Sequence, residues 1–154
     1  MARPDGQGPT QSQAPTSRTQ STPGTTAPNG YKSIDPRDFL APEKGTHSPA
    51  AIIIGNAEGT RTPNGGTTKA FASHSDPGNS KLNMGSFSYQ DGKVRNAAEA
   101  DQAQLRALSG FMPAYKNAAL AAGLDPNNAM LVAGAFDSFN QGERAGTSYR
   151  EPPA

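Results

Sequence analysis

The sequence predicts a mainly α fold, α+β in detail, with a small irregular β region inserted after the first helix. Three observations predict it. Cap signals at Ser48 and Asn96 stand ahead of apolar or alanine-rich stretches, turn-forming residues crowd the segment from Gly59 to Gly92, and an apolar stripe recurs at helical spacing from Ala129 to Phe139.

The 154 residues leave room for one domain, and 17 Gly, 14 Pro and a hydrophobic fraction of 33% place the chain on the polar side of globular usage. Met1 to Gly30 is built from Pro, Thr, Ser, Gln and Gly and holds no Ile, Leu, Val, Phe, Tyr or Trp. Such a segment has almost nothing to bury against the entropy of ordering, so residues 1–30 are expected to be a disordered tail. Residues 31–142 are then the domain. Residues 143–154, polar and ending in Pro152-Pro153-Ala154, are expected to be a flexible C-terminus.

Within the domain, Tyr31, Ile34, Phe39 and Leu40 lie between and beside Pro36 and Pro42, a composition that suits an extended arm making the domain's first contact. Ser48-Pro49 reads as N-cap and N1 proline of a helix through Ala50, Ala51, Ile52, Ile53, Ile54, Asn56, Ala57 and Glu58, its three isoleucines mostly buried. A short buried strand over Ala51 to Ile54 is the alternative, since β-branched residues favour one. From Gly59 to Gly92, Thr67 to Ser73 and Ser86 to Tyr89 are expected to pair as short strands between turns. Asn96 caps a long helix through Met112, which Pro113 is expected to kink or end, with Ala114 to Ala122 as a second helical segment closed by Gly123. Asp125-Pro126 repeats the cap-plus-proline signal for a last helix to about Asn140, with Ala129, Val132, Ala133, Phe136 and Phe139 on its apolar stripe.

The formal net charge of +1 and the scattered Lys and Arg residues give no footprint for nucleic acid. Zero cysteines exclude a disulfide framework, a thiolate nucleophile and sulfur-rich zinc sites, and leave the compartment open. Arg3 is followed by polar residues and prolines, so no Sec-type signal is visible, and the longest apolar run, Ala50 to Ile54, is too short to cross a bilayer. A monomer without membrane insertion is expected.

The candidate chemistry begins with Glu58, which follows the isoleucine helix and precedes Gly59-Thr60-Arg61. A carboxyl half-buried where the chain turns sits in surroundings that favour its neutral form, as a general acid requires. The alternative is an exposed Glu at a helix end, paired with Arg61. His47 and His74 are the only histidines, and Asp76, Asn79 and Asn83 do not follow calcium-loop spacing, so no metal site and no cofactor are expected. Ser73-His74-Ser75-Asp76 is too compact in sequence for a triad, and Gly65-Gly66-Thr67-Thr68 lacks the Gly-Lys-Ser/Thr of a phosphate loop.

The order of a helix ending in Glu58-Gly59-Thr60, a short polar β segment and then Gly85-Ser86-Phe87-Ser88-Tyr89-Gln90 resembles the lysozyme-like superfamily of bacterial muramidases, lytic transglycosylases and phage endolysins. The chain also looks like an uncharacterised bacterial family with similar Glu-Gly-Thr-Arg and His-x-Asp-Pro-Gly-Asn segments. The resemblance covers about forty residues and implies lysozyme-like helices, binding of a peptidoglycan-type β-1,4 glycan, and its cleavage by a glycoside hydrolase or lytic transglycosylase reaction with Glu58 as general acid. It implies Tyr89 and Gln90 as cleft residues. Arg61, His74, Asp76 and Asn83 are expected as further substrate-binding neighbours. It also implies a secreted or phage-associated protein. Less helix follows Asn140 than such a domain usually carries, which points to a truncated member. A hydrolase needs a second carboxylate, and Asp76 is the nearest candidate, though Asp76-Pro77-Gly78-Asn79 suits a turn in which the Asp bonds its own backbone. Without it Glu58 acts alone, with assistance from the substrate. The alternative to an enzyme is a non-catalytic bacterial or phage accessory domain, or an incomplete and inactive homologue.

Overall fold

The structure is a computed structural model that describes residues 32–144. The expected tail over residues 1–30 and all but the first two residues of the expected flexible C-terminus lie outside the described residues. The domain is mainly helical with one small antiparallel hairpin, as the cap signals and turn density predict.

Asp35-Pro36 opens the first helix, α1 (Pro36–Leu40), with the Asp35 carboxylate accepting from the Arg37 amide at 2.8 Å. The expected extended arm is therefore mostly helix, because Asp35-Pro36 carries the same cap-plus-proline signal as Ser48-Pro49. Only Lys32 to Ile34 stay extended. Ser33 forms a bridge with Asn128, and the Ile34 amide donates to the Asn127 carbonyl at 2.8 Å. A 3-10 segment (Pro42–His47), broken at Gly45 with φ 53°, leads to α2 (Pro49–Ala57).

Helix α2 starts as expected, with Ser48 Oγ accepting from the Ala51 amide at 3.1 Å. Ala50, Ala51 and Ile54 enter the core, but Ile53 is 49% exposed and Ile52 half-buried. Three consecutive residues sweep about 200° around a helix, so one buried face cannot hold all three. The helix ends at Ala57, with Glu58 as its C-cap.

The β region is smaller than the sequence suggests. Lys69–Ala72 is a single helical turn, α3, and the ladder consists of β1 (His74–Ser75) against β2 (Leu82–Asn83), with an isolated bridge from Met84 to Tyr89. The expected pairing of Thr67–Ser73 with Ser86–Tyr89 does not form. The Ser86 amide and carbonyl are committed to side chains, Asp101 and Thr60, which leaves that residue no ladder bonds to give.

Asn96 caps α4 (Ala97–Ala121), its side-chain oxygen accepting from the Glu99 amide at 2.9 Å. The helix runs straight through the expected break at Pro113. That proline is exposed, and Leu105, Leu108, Tyr115 and Ala119 keep one buried face continuous across it, offsetting the lost backbone bond. Helix α5 (Ala129–Arg144) begins three residues after Pro126, because Asn128 supplies the cap, accepting from the Met130 and Leu131 amides, while Asp125 closes a turn onto Asn127. It also extends past Asn140, so residues 143 and 144 are helical. None of the described helices is long and apolar enough to cross a membrane.

The core joins Phe39 and Leu40 of α1, Ile54 of α2, Phe87, Leu105, Leu108 and Tyr115 of α4, and Val132 and Phe136 of α5. Phe136 is its hub, with ring centroids 5.4 Å from Phe111, 5.3 Å from Tyr115 and 6.1 Å from Phe39. Truncating Phe136→Ala should therefore cost about 3 to 5 kcal/mol of unfolding free energy, read from the urea midpoint.

Candidate functional site

Glu58 sits half-buried at the junction of three elements. Its Oε1 accepts from Asn140 Nδ2 at 3.3 Å, and the same amide nitrogen lies 3.3 Å from the Phe87 carbonyl oxygen. Asn140 is fully buried in α5, and its Oδ1 accepts from Gln104 Nε2 of α4 at 3.0 Å, which fixes the amide with its NH2 group toward Glu58. A chain of side-chain amides thus ties the end of α2 to the 85–90 segment across the whole helical layer. Glu58 reaches that segment through Asn140 at Phe87, while Tyr89 and Gln90, the expected cleft residues, bond to Asp91 and to Asp76; a pairing with Glu58 is not what holds Arg61.

Arg61 turns inward. It is 5% exposed, and its guanidinium donates to the carbonyls of Thr46 and Gly65, each at 2.7 Å, and to Ser86 Oγ at 3.0 Å. Ser86 in turn donates from its hydroxyl to Asp101 Oδ2 and from its amide to Asp101 Oδ1, both at 2.7 Å. Thr60 Oγ1 closes the knot by donating to the Ser86 carbonyl at 2.6 Å. Arg61 is therefore a strut rather than a cleft contact: it is buried, both Nη atoms bond inside the fold, and its buried Nε has no hydrogen-bond partner among the described residues. Burial pushes the Asp101 carboxyl up to about 6, against the lowering effect of the Ser86 bonds and the Arg61 charge.

The other expected site residues form a separate polar cluster on the hairpin. His74 Nδ1 lies 2.9 Å from the Ala70 carbonyl and its Nε2 3.4 Å from Asn83 Nδ2, and Asn83 is buried. Asp76 Oδ1 accepts from the Gly78 amide at 2.7 Å, the turn-forming role its Asp-Pro-Gly-Asn context suggests. Asp76 Oδ2 accepts from Gln90 Nε2 at 2.8 Å, and Asn79 lies 3.3 Å from the other end of that Gln90 amide. Gln90 thereby clips the turn to the end of the 85–90 segment. The structure brings His74 to Asn83 and Asp76 to Gln90, and it leaves Asp76 engaged in holding its own turn.

Tyr89 is half-buried and lines an open cavity of about 500 Å³ between the 89–94 segment and the first half of α4. Glu58 is not among its lining residues. The roles of Asp101, Ser86, Gln104 and Asn140 escape the sequence reading, although Ser86 falls in the Gly85-to-Gln90 motif and Asn140 at the expected end of the last helix. The one local signal was the spacing of Asp101 with Leu105 and Leu108, which puts a carboxylate on the face that α4 buries. Among the described residues no group of three His, Asp or Glu side chains is placed to hold a metal ion.

Two outcomes follow from the buried knot. Asp101 binds its proton more tightly folded than unfolded, so its contribution to stability is full below about pH 4 and is lost as pH rises to about 6, by up to ~3 kcal/mol. Urea unfolding at pH 4, 5, 6 and 7 should show this fall in the natural chain and its loss in Asp101→Asn. Gly85 adopts φ 78°, and a Cβ there would collide with Asp101 Oδ1 and press on the Ala97 carbonyl, so Gly85→Ala should cost about 3 kcal/mol in the same assay.

Comparison of the chain with protein-family models, with curated proteins and with solved structures finds no match, so the reading of this site rests on its own geometry.

Proposed function

We propose that the protein binds a β-1,4-linked amino-sugar glycan of the peptidoglycan type and cleaves it with Glu58 as general acid. The observation that supports this reading is the junction at Glu58. A half-buried carboxyl at a helix end is held by an oriented amide, Asn140, which touches the 85–90 segment through Phe87. A proton donor of this kind works when its carboxyl is fixed by groups that are themselves fixed, and Gln104 supplies that second layer. Asp76 is engaged by the Gly78 amide and Gln90, which favours a route in which Glu58 acts without a second carboxylate. In that route Glu58 delivers its proton to the glycosidic oxygen, a group of the substrate attacks the anomeric carbon as the bond breaks, and the carboxylate recovers the proton that the attacking group releases.

The second reading is a glycan-binding accessory domain without cleavage. It is favoured by one observation, that the open cavity beside Tyr89 is lined without Glu58.

Release of soluble muropeptides from purified peptidoglycan separates the two. Glu58→Gln should lower the release by at least about a hundredfold while leaving the thermal melt unchanged. Equal release by the two chains contradicts Glu58 as the acid. Retention of the chain on sedimented peptidoglycan, with no release by either chain, supports the accessory domain.

A further inference from the structure

The loop after α2 places an asparagine directly before a glycine, Asn64-Gly65, and joins that pair to the knot around Arg61. Gly65 adopts φ 87°, a conformation that strains any residue with a Cβ. Glycine is therefore required there, and it leaves the amide nitrogen that follows Asn64 without a side chain to shield it. Asn64 is exposed, and its Oδ1 accepts from Thr62 Oγ1, which draws electron density away from the amide carbon. The nucleophile, by contrast, is restrained. The Gly65 amide donates to the Thr62 carbonyl at 2.9 Å, the Thr62 amide donates to the Gly66 carbonyl at 2.9 Å, and the Gly65 carbonyl takes Arg61 Nη2 at 2.7 Å. An amide whose proton is held in a closed turn cannot swing its nitrogen onto the neighbouring side chain. The pair is thus activated on one side and held shut on the other, and what holds it shut is anchored on Arg61.

We propose that Asn64 is a site of spontaneous deamidation gated by the Arg61 knot, closed while the guanidinium holds Gly65 and open when the knot lets go, and that the product keeps the knot from closing again. When the turn opens, the Gly65 amide nitrogen attacks Asn64 Cγ. A bond from that nitrogen to Cγ forms, the bond from Cγ to Nδ2 breaks, and Nδ2 leaves as ammonia with the proton that Gly65 gives up. Water then opens the succinimide ring. Attack at Cγ returns the ordinary main chain with an aspartate, and attack at the main-chain carbonyl carbon leaves an isoaspartate, whose main chain runs through Cγ and is one carbon longer. The ends of this loop are fixed by the bridge between Arg61 and Thr67 and by the bond from Asn56 Nδ2 to the Arg61 carbonyl at 3.2 Å. A longer chain between fixed ends moves the Gly65 carbonyl away from Arg61 Nη2. The buried Arg61 Nε has no acceptor among the described residues, so the guanidinium would then carry a second unmet donor group. The site stands whether or not the chain cleaves a glycan.

The test is peptide mapping of isoaspartate at position 64 during incubation in a mildly alkaline buffer. Three samples are compared: the full chain, the full chain unfolded in urea, and a synthetic peptide of the sequence from Thr62 to Thr67. The peptide and the unfolded chain should convert at similar rates, and the folded chain at least about a hundredfold more slowly. Urea below the unfolding transition should raise the folded-chain rate in step with the fall in global unfolding free energy. Gly85→Ala, which crowds Asp101 on the far side of the same knot, should raise the rate without urea. After conversion and refolding, the isoaspartate-bearing chain should melt several degrees lower than the starting protein, whereas Asn64→Gln chains given the same treatment should melt as before. Conversion of the folded chain at the peptide's rate, or a folded-chain rate that low urea leaves unchanged, overturns the gate. Absence of isoaspartate at position 64 in the unfolded chain overturns the site itself, and a converted chain with the natural melting temperature overturns its coupling to Arg61.

Discussion

The buried guanidinium of Arg61 is the constraint on which the rest of the structure depends. An arginine charge inside a domain is costly unless its donors are met and a counter-charge lies near, and Arg61 satisfies this through its two Nη atoms while its buried Nε has no acceptor among the described residues. Here the acceptors come from three places in the chain: Thr46 in the 3-10 segment, Gly65 in the loop after α2, and Ser86 in the segment before α4. The counter-charge, Asp101, belongs to α4 and reaches Arg61 through the Ser86 hydroxyl. None of these elements can shift without stranding a charge. The same requirement explains two small residues. A Cβ on Gly55 would run into the Arg61 stem, and one on Gly85 into the Asp101 carboxylate. Glycine at those positions lets α2 and the 85–90 segment close on Arg61 and Asp101.

This arrangement gives Glu58 a defined position. The carboxyl is three residues from Arg61 and two from Thr60, whose hydroxyl donates to the Ser86 carbonyl, so the chain on its C-terminal side is pinned directly to the 85–90 segment. On its other side the Glu58 amide closes the last turn of α2 at 2.9 Å from the Ile54 carbonyl. Asn140 then adds α5 to the junction. Catalytic or binding groups work best on rigid supports whose rotamers are locked by their neighbours, and the junction at Glu58 has that construction. The hairpin carrying His74, Asp76 and Asn83 is built differently. Its turn is exposed from Pro77 to Leu82, and it is clipped to the domain mainly through Gln90.

Much of the frame was legible in the residues. Ser48-Pro49, Asn96 and the stripe from Val132 to Phe139 announce α2, α4 and α5 because caps and apolar spacing act over a few positions. The same local signal at Asp35-Pro36 announces α1, although Pro42 and the short length make the segment look extended. The span of α4 across Pro113 was hidden, since it depends on what the opposite face of the helix buries. At the site, Glu58 is visible as the residue that ends an apolar helix. Asn140 and Gln104 are not, because they meet Glu58 and each other across 82 and 36 positions of sequence. Arg61 misleads for a related reason. Nothing local distinguishes a guanidinium that pairs at the surface from one whose acceptors are supplied by distant backbone. Asp76 is the opposite case, its turn-holding role being written in the four residues around it.

Native-state hydrogen exchange at the Ser86 amide tests the central claim most directly. That amide donates to Asp101 inside the knot, so it should exchange only through global unfolding, with a protection free energy that tracks the global value as urea is added. Exchange through a local opening, at a free energy several kcal/mol below the global one and insensitive to low urea, would show that the Arg61, Ser86 and Asp101 link does not hold the junction together.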